Sequence, residues 1–283
     1  MIPLALWPLE ERRRIIGVFT DIDDTLTTDG AITADALAAL ADLAAAGLHV
    51  IPITGRPVGW SEPFAHGNAA AGVAPWPVDA IVAENGAVAL FRGKKGILPT
   101  SCIDSLLLKI YQQPGAVRAA NFALMQQVVK RVLREVPGAQ LSRDSSGRET
   151  DIAIDHSEFT HLSAEKIAQA VQIMQAEGMN ATVSSIHING WFGAHNKLEG
   201  ARWMVRQLFS RDLDTEIDKW AYVGDSTNDQ CMFAHFPHSI GVANIRRFEA
   251  ELAHKPRYVT RGERGAGFAE VAAAIAHARN KPA

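Results

Sequence analysis

Hydrophobic and polar positions follow two different rhythms along this chain, and the change of rhythm divides it. An apolar β-branched and aromatic run, Ile15 to Phe19, is followed by Leu37, Leu40 and Ala44 at helical spacing, then by a second apolar run at residues 50–54. The runs predict two buried strands, and the spaced positions predict a helix over residues 33–46, ended by Gly47. The same grain returns later. Leu198, Ala201, Val205, Leu208 and Phe209 share one face of a helix predicted over residues 196–209, and WAYVGD, residues 220–225, is another apolar run that ends in a carboxylate. Strands that alternate with helices in this way predict an α/β fold built on a parallel sheet.

The middle reads differently. From about Val88 to His187 the pattern predicts a hairpin-like start in NGAVALFR and a helix over residues 116–135 stopped by Pro137 and Gly138. An alternating strand in TDIAID, a helix over residues 163–177 ended by Gly178 and strands in TVSSIHI follow. This predicts a smaller α+β domain, residues 89–187, inserted into a domain made of residues 14–88 and 188–283.

Composition narrows the class of protein. The 283 residues are 47% hydrophobic and 21% charged, enough for a sizeable core. With 28 basic and 31 acidic residues the net charge is -3, which offers no general attraction to nucleic acid or to an anionic membrane. Cys102 and Cys231 form neither a disulfide framework nor a zinc-spaced pair and read as reduced thiols. The N-terminal stretch places its charges after a short apolar run broken by Pro3 and Pro8, the reverse of a secretory signal, so a cytoplasmic location is expected. The His235 and His238 pair is interrupted by Phe236-Pro237 and reads as structural rather than zinc-binding. Arg143 and Arg148 lie in the polar loop SRDSSGRET and read as solvated.

Candidate chemistry gathers where the predicted strands end. Asp21 and Asp23 are two apart, so in an extended segment their side chains point the same way, and two carboxylates so close need a cation or a held proton. Both remedies suit phosphoryl transfer. A Mg²⁺ ion would relieve the repulsion, one carboxylate could attack phosphorus, and the other could carry the proton of the leaving group. Thr54 and Lys197 qualify as donors to phosphoryl oxygens, and GDSTND offers Asp225 and Asp229 as further carboxylates, with Gly224 giving the backbone room to turn.

DIDDT at residues 21–25, ITGR around Thr54, Lys197, and GDSTND at residues 224–229 together resemble, in order, the four motifs of the haloacid dehalogenase superfamily. The resemblance implies a Rossmannoid parallel-sheet core with an inserted α+β cap. It implies Asp21 as the nucleophile that forms an aspartyl-phosphate and Asp23 as the acid and then the base. Thr54 and Lys197 would grip the phosphoryl group. Asp21, the main-chain carbonyl of Asp23, and Asp225 would hold Mg²⁺, with Asn228 and Asp229 behind them. The long stretch from Thr54 to Lys197 puts the cap after the second motif. That position, with ENGA at residues 84–87, is similar to the IIB, Cof-like subgroup with a C2-type cap, which contains sucrose-phosphate and trehalose-phosphate phosphatases. The implied activity is a phosphatase acting on small phosphorylated metabolites, sugar phosphates first, with Arg56 and Asn85 as candidate substrate contacts. A phosphosugar mutase resembling the phosphomannomutases is the alternative, and a phosphorylation-controlled signalling module a more distant one. Asp24 stands where many members have Gly and is assigned no role.

Overall fold

A six-stranded parallel sheet organises the larger unit of the computed structural model, which describes residues 1–92 and 107–280. Its spatial order is Ile2–Pro3, Tyr258–Val259, His238–Gly241, Trp220–Gly224, Gly17–Thr20 and His49–Pro52, every neighbour parallel. The central strands Gly17–Thr20, Trp220–Gly224 and His238–Gly241 are buried at every position, which is why the first two read as apolar runs rather than alternating ones. Helices Ala34–Ala45 and Arg264–Asn280 bury Leu40, Leu43, Phe268 and Ile275 on one face. Helix Lys197–Phe209 buries Ala201, Met204 and Val205 on the other. Each large aliphatic or aromatic side chain so buried contributes about 1.5–3 kcal/mol.

One close approach explains a small residue in the central strand. Phe19 and Trp220 stack with ring centroids 4.9 Å apart. The indole also lies across Gly17, where a Cβ would sit 2.2 Å from a ring carbon. Any side chain there would push the tryptophan out of the sheet face.

The cap is a four-stranded antiparallel sheet in the order Asn180–Val183, His187–Trp191, Ile152–Asp155 and Gln140–Leu141. Helices Gly115–Glu135 and Ala164–Ala176 cover one of its faces, supplying Met125, Val129, Val132, Ala170 and Met174 to a separate apolar cluster. Strand alternation then sets the opposite face. Ile152, Ile154 and Ile188 join that cluster, so Ala153, Asp155, His187 and Asn189 turn away from it, with Ala153 paired to Asn189 and Asp155 to His187.

The division between the units differs from the expected one. Strand Val88–Arg92 sends Val88 and Leu90 into one core cluster and Ala89 and Phe91 into the other. It pairs with Ala80–Ala83 and Leu107–Tyr111, and a parallel bridge from Ile53 to Val82 joins this sheet to the large one. These strands therefore belong with the larger unit rather than opening the cap at residue 89, and the last cap strand runs past residue 187 to Trp191. A strand apolar on both sides reads the same locally whichever unit it packs into. Cys231 is a free, partly buried thiol, and Cys102 lies outside the described residues. Among the described residues no helix is long and apolar enough to cross a membrane.

Candidate active site

The site forms at the carboxyl ends of three adjacent strands. Thr20 is in register with Val223 on one side and with Pro52 on the other, so Asp21, Asp225 and Thr54 emerge just beyond one edge of the sheet. Asp21 extends the ladder by donating its N–H to the Val223 carbonyl at 2.8 Å, and Ile53 donates to Thr20 at 2.7 Å. Open parallel sheets place ligands at this edge.

Lys197 is delivered from the start of helix Lys197–Phe209. Asn196 caps it by accepting the Glu199 N–H at 3.0 Å, and Gly86 (φ 106°) lets the backbone pass so close that a Cβ would lie 2.2 Å from the Asn196 carbonyl. The Lys197 ammonium, 2% exposed as a residue, donates to Asp21 Oδ1 at 2.6 Å and to Asp229 Oδ1 at 2.7 Å. Burial alone would discourage its charge, but Asp21 and Asp229 together hold it protonated well above the usual lysine range. Burial pushes the Asp21 carboxyl up to about 7, opposed by Lys197 and reinforced by Asp229 and Asp23.

Asp229 and Asp225 take different parts. Asp229 Oδ1 accepts from Lys197 and from the Tyr222 hydroxyl, and its Oδ2 accepts the N–H groups of Asp225 and Ser226 at 2.9 and 3.1 Å. Its lone pairs are spent on supporting the others. Gly224 permits this, since a Cβ there would meet Asp229 Oδ2 at 2.4 Å. Asp225 Oδ2 accepts from Asn244 Nδ2 at 3.1 Å, while its Oδ1 is buried without a hydrogen-bond partner. Burial, with Asp21, Asp229 and Asp24 nearby, drives the Asp225 carboxyl strongly upward.

Oxygens of Asp21, Asp225 and Asp229 lie within 4.8 Å of one another. A hard divalent cation fits this donor set: it would partner the orphaned Asp225 oxygen and relieve the crowding that raises both carboxyls. The saturation of Asp229 points to Asp21 and Asp225 as the carboxylates that would touch such an ion.

Asp23 lies past the strand end on a turn, and its carboxylate faces Arg56, which donates from Nε at 3.0 Å to both oxygens and from Nη2 at 2.8 Å to Oδ1. Thr54 is fully buried, with Oγ1 accepting the Arg56 N–H at 3.0 Å. Asn228 is buried beside Ser226, whose hydroxyl donates to it at 2.9 Å. The two expected substrate contacts are each hydrogen-bonded to protein groups. Arg56 also pairs with Asp144 and Glu158 of the cap, and Asn85 donates to Asp151 at 3.3 Å.

The structure adds residues that the motifs did not reveal. Asn244 donates to the Asp24 carbonyl at 3.0 Å as well as to Asp225, tying the first acidic loop to the second. Asp24 holds φ 54°, a left-handed conformation that favours glycine and that Asp tolerates, which accounts for Gly being common there; its carboxylate pairs with Arg264 at 3.0 Å. Arg148, expected in a solvated loop, is buried and donates to Asp151 at 2.7 Å and to the Gly55 carbonyl at 2.9 Å. Asn189 joins it, donating to Asp151 and Gly55 at 3.1 and 3.2 Å. His235 and His238 bind Asp214 and the Asp218 carbonyl respectively and do not converge.

A cleft of about 730 Å³ opens beside Asp23 between core and cap, lined by Asp24, Arg56, Arg247 and Arg264 from the core and by Ser157, Glu158 and Phe159 from the cap. Polar groups from both sides converge on one concave site, a form suited to a small ligand.

Comparison with known proteins gives a profile match over part of the chain and a shared fold over nearly all of it. Residues 18–127 match the sequence profile of haloacid dehalogenase-like hydrolases. No curated protein matches the chain. Three solved structures share its fold. A haloacid dehalogenase/Cof-like hydrolase from Plasmodium vivax is 16% identical with a TM-score of 0.63, covering 95% of this chain and 99% of its own. A Thermoplasma acidophilum protein is 16% identical with a TM-score of 0.62, covering 92% and 98%. The sucrose-phosphatase of Synechocystis, solved with sucrose and phosphate, is 13% identical with a TM-score of 0.62, covering 93% and 98%. Parallel core, inserted cap and acidic strand ends agree with the matching profile, so that residues 18–127 resemble the haloacid dehalogenase-like hydrolases and the chain as a whole shares the fold of these solved structures.

Proposed function

We propose that this hydrolase is a Mg²⁺-dependent phosphatase that cleaves small phosphorylated metabolites, sugar phosphates first, through an aspartyl-phosphate on Asp21. The observation that carries the reading is the convergence of Asp21, Lys197 and Asp225, with one Asp225 oxygen buried and unpartnered. Asp21, the Asp23 carbonyl and Asp225 would hold Mg²⁺, which when bound offsets the carboxylate crowding and the charge on the phosphoryl oxygens. Lys197 and Thr54 bind and orient the phosphoryl group. An Asp21 oxygen attacks phosphorus as the ester P–O bond breaks, and the departing oxygen takes the proton of Asp23. Water then attacks the same phosphorus, gives a proton to Asp23, and releases phosphate and the Asp21 carboxylate.

The sugar-phosphate preference rests on the shared fold of the sucrose-phosphatase and on a cleft lined by hydroxyl and carboxylate groups as well as arginines. The ligand is a small phosphorylated molecule and not a nucleic acid, and a cytoplasmic setting suits the two widely spaced cysteines.

Phosphate release across a panel of phosphorylated sugars and other metabolites, with and without Mg²⁺, tests the proposal. The expected result is Mg²⁺-dependent turnover that falls by about 10⁴-fold or more in Asp21→Asn. Absence of release from every compound overturns it. Isomerisation of a hexose phosphate in the presence of a bisphosphate would then put a mutase in its place.

A further inference from the structure

Arg56 is shared between the two units in a way that the catalytic reading does not use. Its guanidinium is 6% exposed. Nε and Nη2 hold Asp23, Nη2 also donates to Glu158 Oε1 at 2.9 Å, and Nη1 donates to Asp144 Oδ2 at 3.1 Å. The Trp60 ring lies 5.2 Å from its carbon centre. Among the described residues no other side chain hydrogen-bonds the Asp23 carboxylate, so Arg56 alone sets its direction.

Cap geometry in turn sets Arg56. Glu158 is fixed by His187 Nε2 at 2.9 Å and by its own N–H bonded to Asp155 at 2.9 Å. Asp144 is fixed by the Ser142 hydroxyl at 2.7 Å and by Arg148 at 3.3 Å. The docking that brings these carboxylates to Arg56 is close: a Cβ on Gly59 of the core would lie 3.0 Å from Gly147 Cα of the cap. A guanidinium is planar, and its fork spends donors in fixed directions. Two cap carboxylates on one side of it therefore constrain which way the other side faces.

We infer that Arg56 is a positioning residue for Asp23, and that the cap carboxylates Asp144 and Glu158 aim it, so that cap docking completes the acid. This rests on the phosphatase reading for the role of Asp23 and goes beyond it in assigning work to cap residues that touch no reacting atom.

Glu158→Gln and Asp144→Asn, alone and together, test the inference with two aryl esters of similar shape, phenyl phosphate and p-nitrophenyl phosphate. The nitrophenolate leaves without needing a proton, whereas phenolate leaves well only if one is delivered. kcat/KM reports steps up to P–O cleavage and is independent of the later hydrolysis. The expected result is a loss of about tenfold or more in kcat/KM for phenyl phosphate with at most about a twofold loss for p-nitrophenyl phosphate. Equal losses for both esters, or none, overturn the inference. A crystal structure of the double variant gives a second reading: Arg56 should leave Asp23, and an unchanged grip overturns the inference. If wild type cleaves neither these esters nor any compound of the metabolite panel, the phosphatase reading fails instead, while the crystal structure still decides the positioning.

Discussion

Core and cap present polar groups to the same cleft, but they assemble them by different means. In the core, Asp21, Thr54 and Asp225 come from the ends of neighbouring strands, each carried by a short segment in which strand, turn and functional residue are contiguous. In the cap, Asp144, Arg148 and Asp151 meet within one turn, whereas Glu158, His187 and Asn189 reach them and the core through antiparallel pairing and docking. The difference teaches that the core carries its acidic and hydroxyl groups on short contiguous motifs at the strand ends. The cap pairs its buried charges with one another, Arg148 with Asp151 and His187 with Glu158, and adds contacts to Gly55, Asn85 and Arg56 of the core when docked.

That contrast can be broken most forcefully at the contact itself. Arg148→Met removes a buried cation that bridges Asp151 and the carbonyl beside Thr54. Leaving Asp151 buried without its cation, with only the Asn85 and Asn189 amides as donors, should cost about 3 kcal/mol. Urea unfolding followed by a cap tryptophan such as Trp191 measures it. A loss below about 1 kcal/mol would show that cap docking does not depend on that pair.

Metal addition sharpens the core side. Burial raises Asp21 to about 7, so the folded metal-free chain keeps a proton that the unfolded chain, with an aspartate near about 4, has released. Stability from this group is therefore full below about pH 4 and is lost as pH rises toward about 7. Mg²⁺ replaces the proton and should restore about 2.7 kcal/mol at a hundredfold excess over its Kd. The rise in Tm is expected to be larger at about pH 7.5 than at about pH 5.5, where the proton competes. Differential scanning calorimetry with and without Mg²⁺ checks both magnitude and direction; an equal shift at the two pH values would count against Asp21 as a ligand.

The smallest effect is expected at Asp24. Asp24→Gly loses the ion pair with Arg264 and relieves a left-handed residue, two opposing terms of about 1 kcal/mol or less each. Thermal unfolding should move by only a few degrees and kcat should be nearly unchanged. A large loss of activity would give that carboxylate a role in the reaction.

Much of the core was legible because its signals are short in range. The helix predicted over residues 33–46 is Ala34–Ala45, and the one over 196–209 is Lys197–Phe209, since apolar spacing and end residues act within a few turns. Gly224 was read as room for a turn, and the nearby Asp229 carboxylate is what occupies that room. The cap was legible as alternating elements but not as a surface. Arg148 looked solvated because Ser, Gly and Asp surround it in sequence, while its burial depends on Gly55, Asp144 and Asp151. The pairs that Arg56 makes with Asp144 and Glu158, far along the chain, were not legible at all.

By itself, then, the sequence determined the parallel-sheet core, the presence of an inserted α+β unit and the acidic strand ends, because apolar periodicity and contiguous turns encode these locally. Only the tertiary structure decided where that unit begins, that Asp229 is saturated while an Asp225 oxygen is unpartnered, and that Asn244, Arg148 and the cap carboxylates belong to the site. Those outcomes depend on which distant groups share a buried volume, and burial is what turns an ordinary carboxylate or arginine into one that must find a partner.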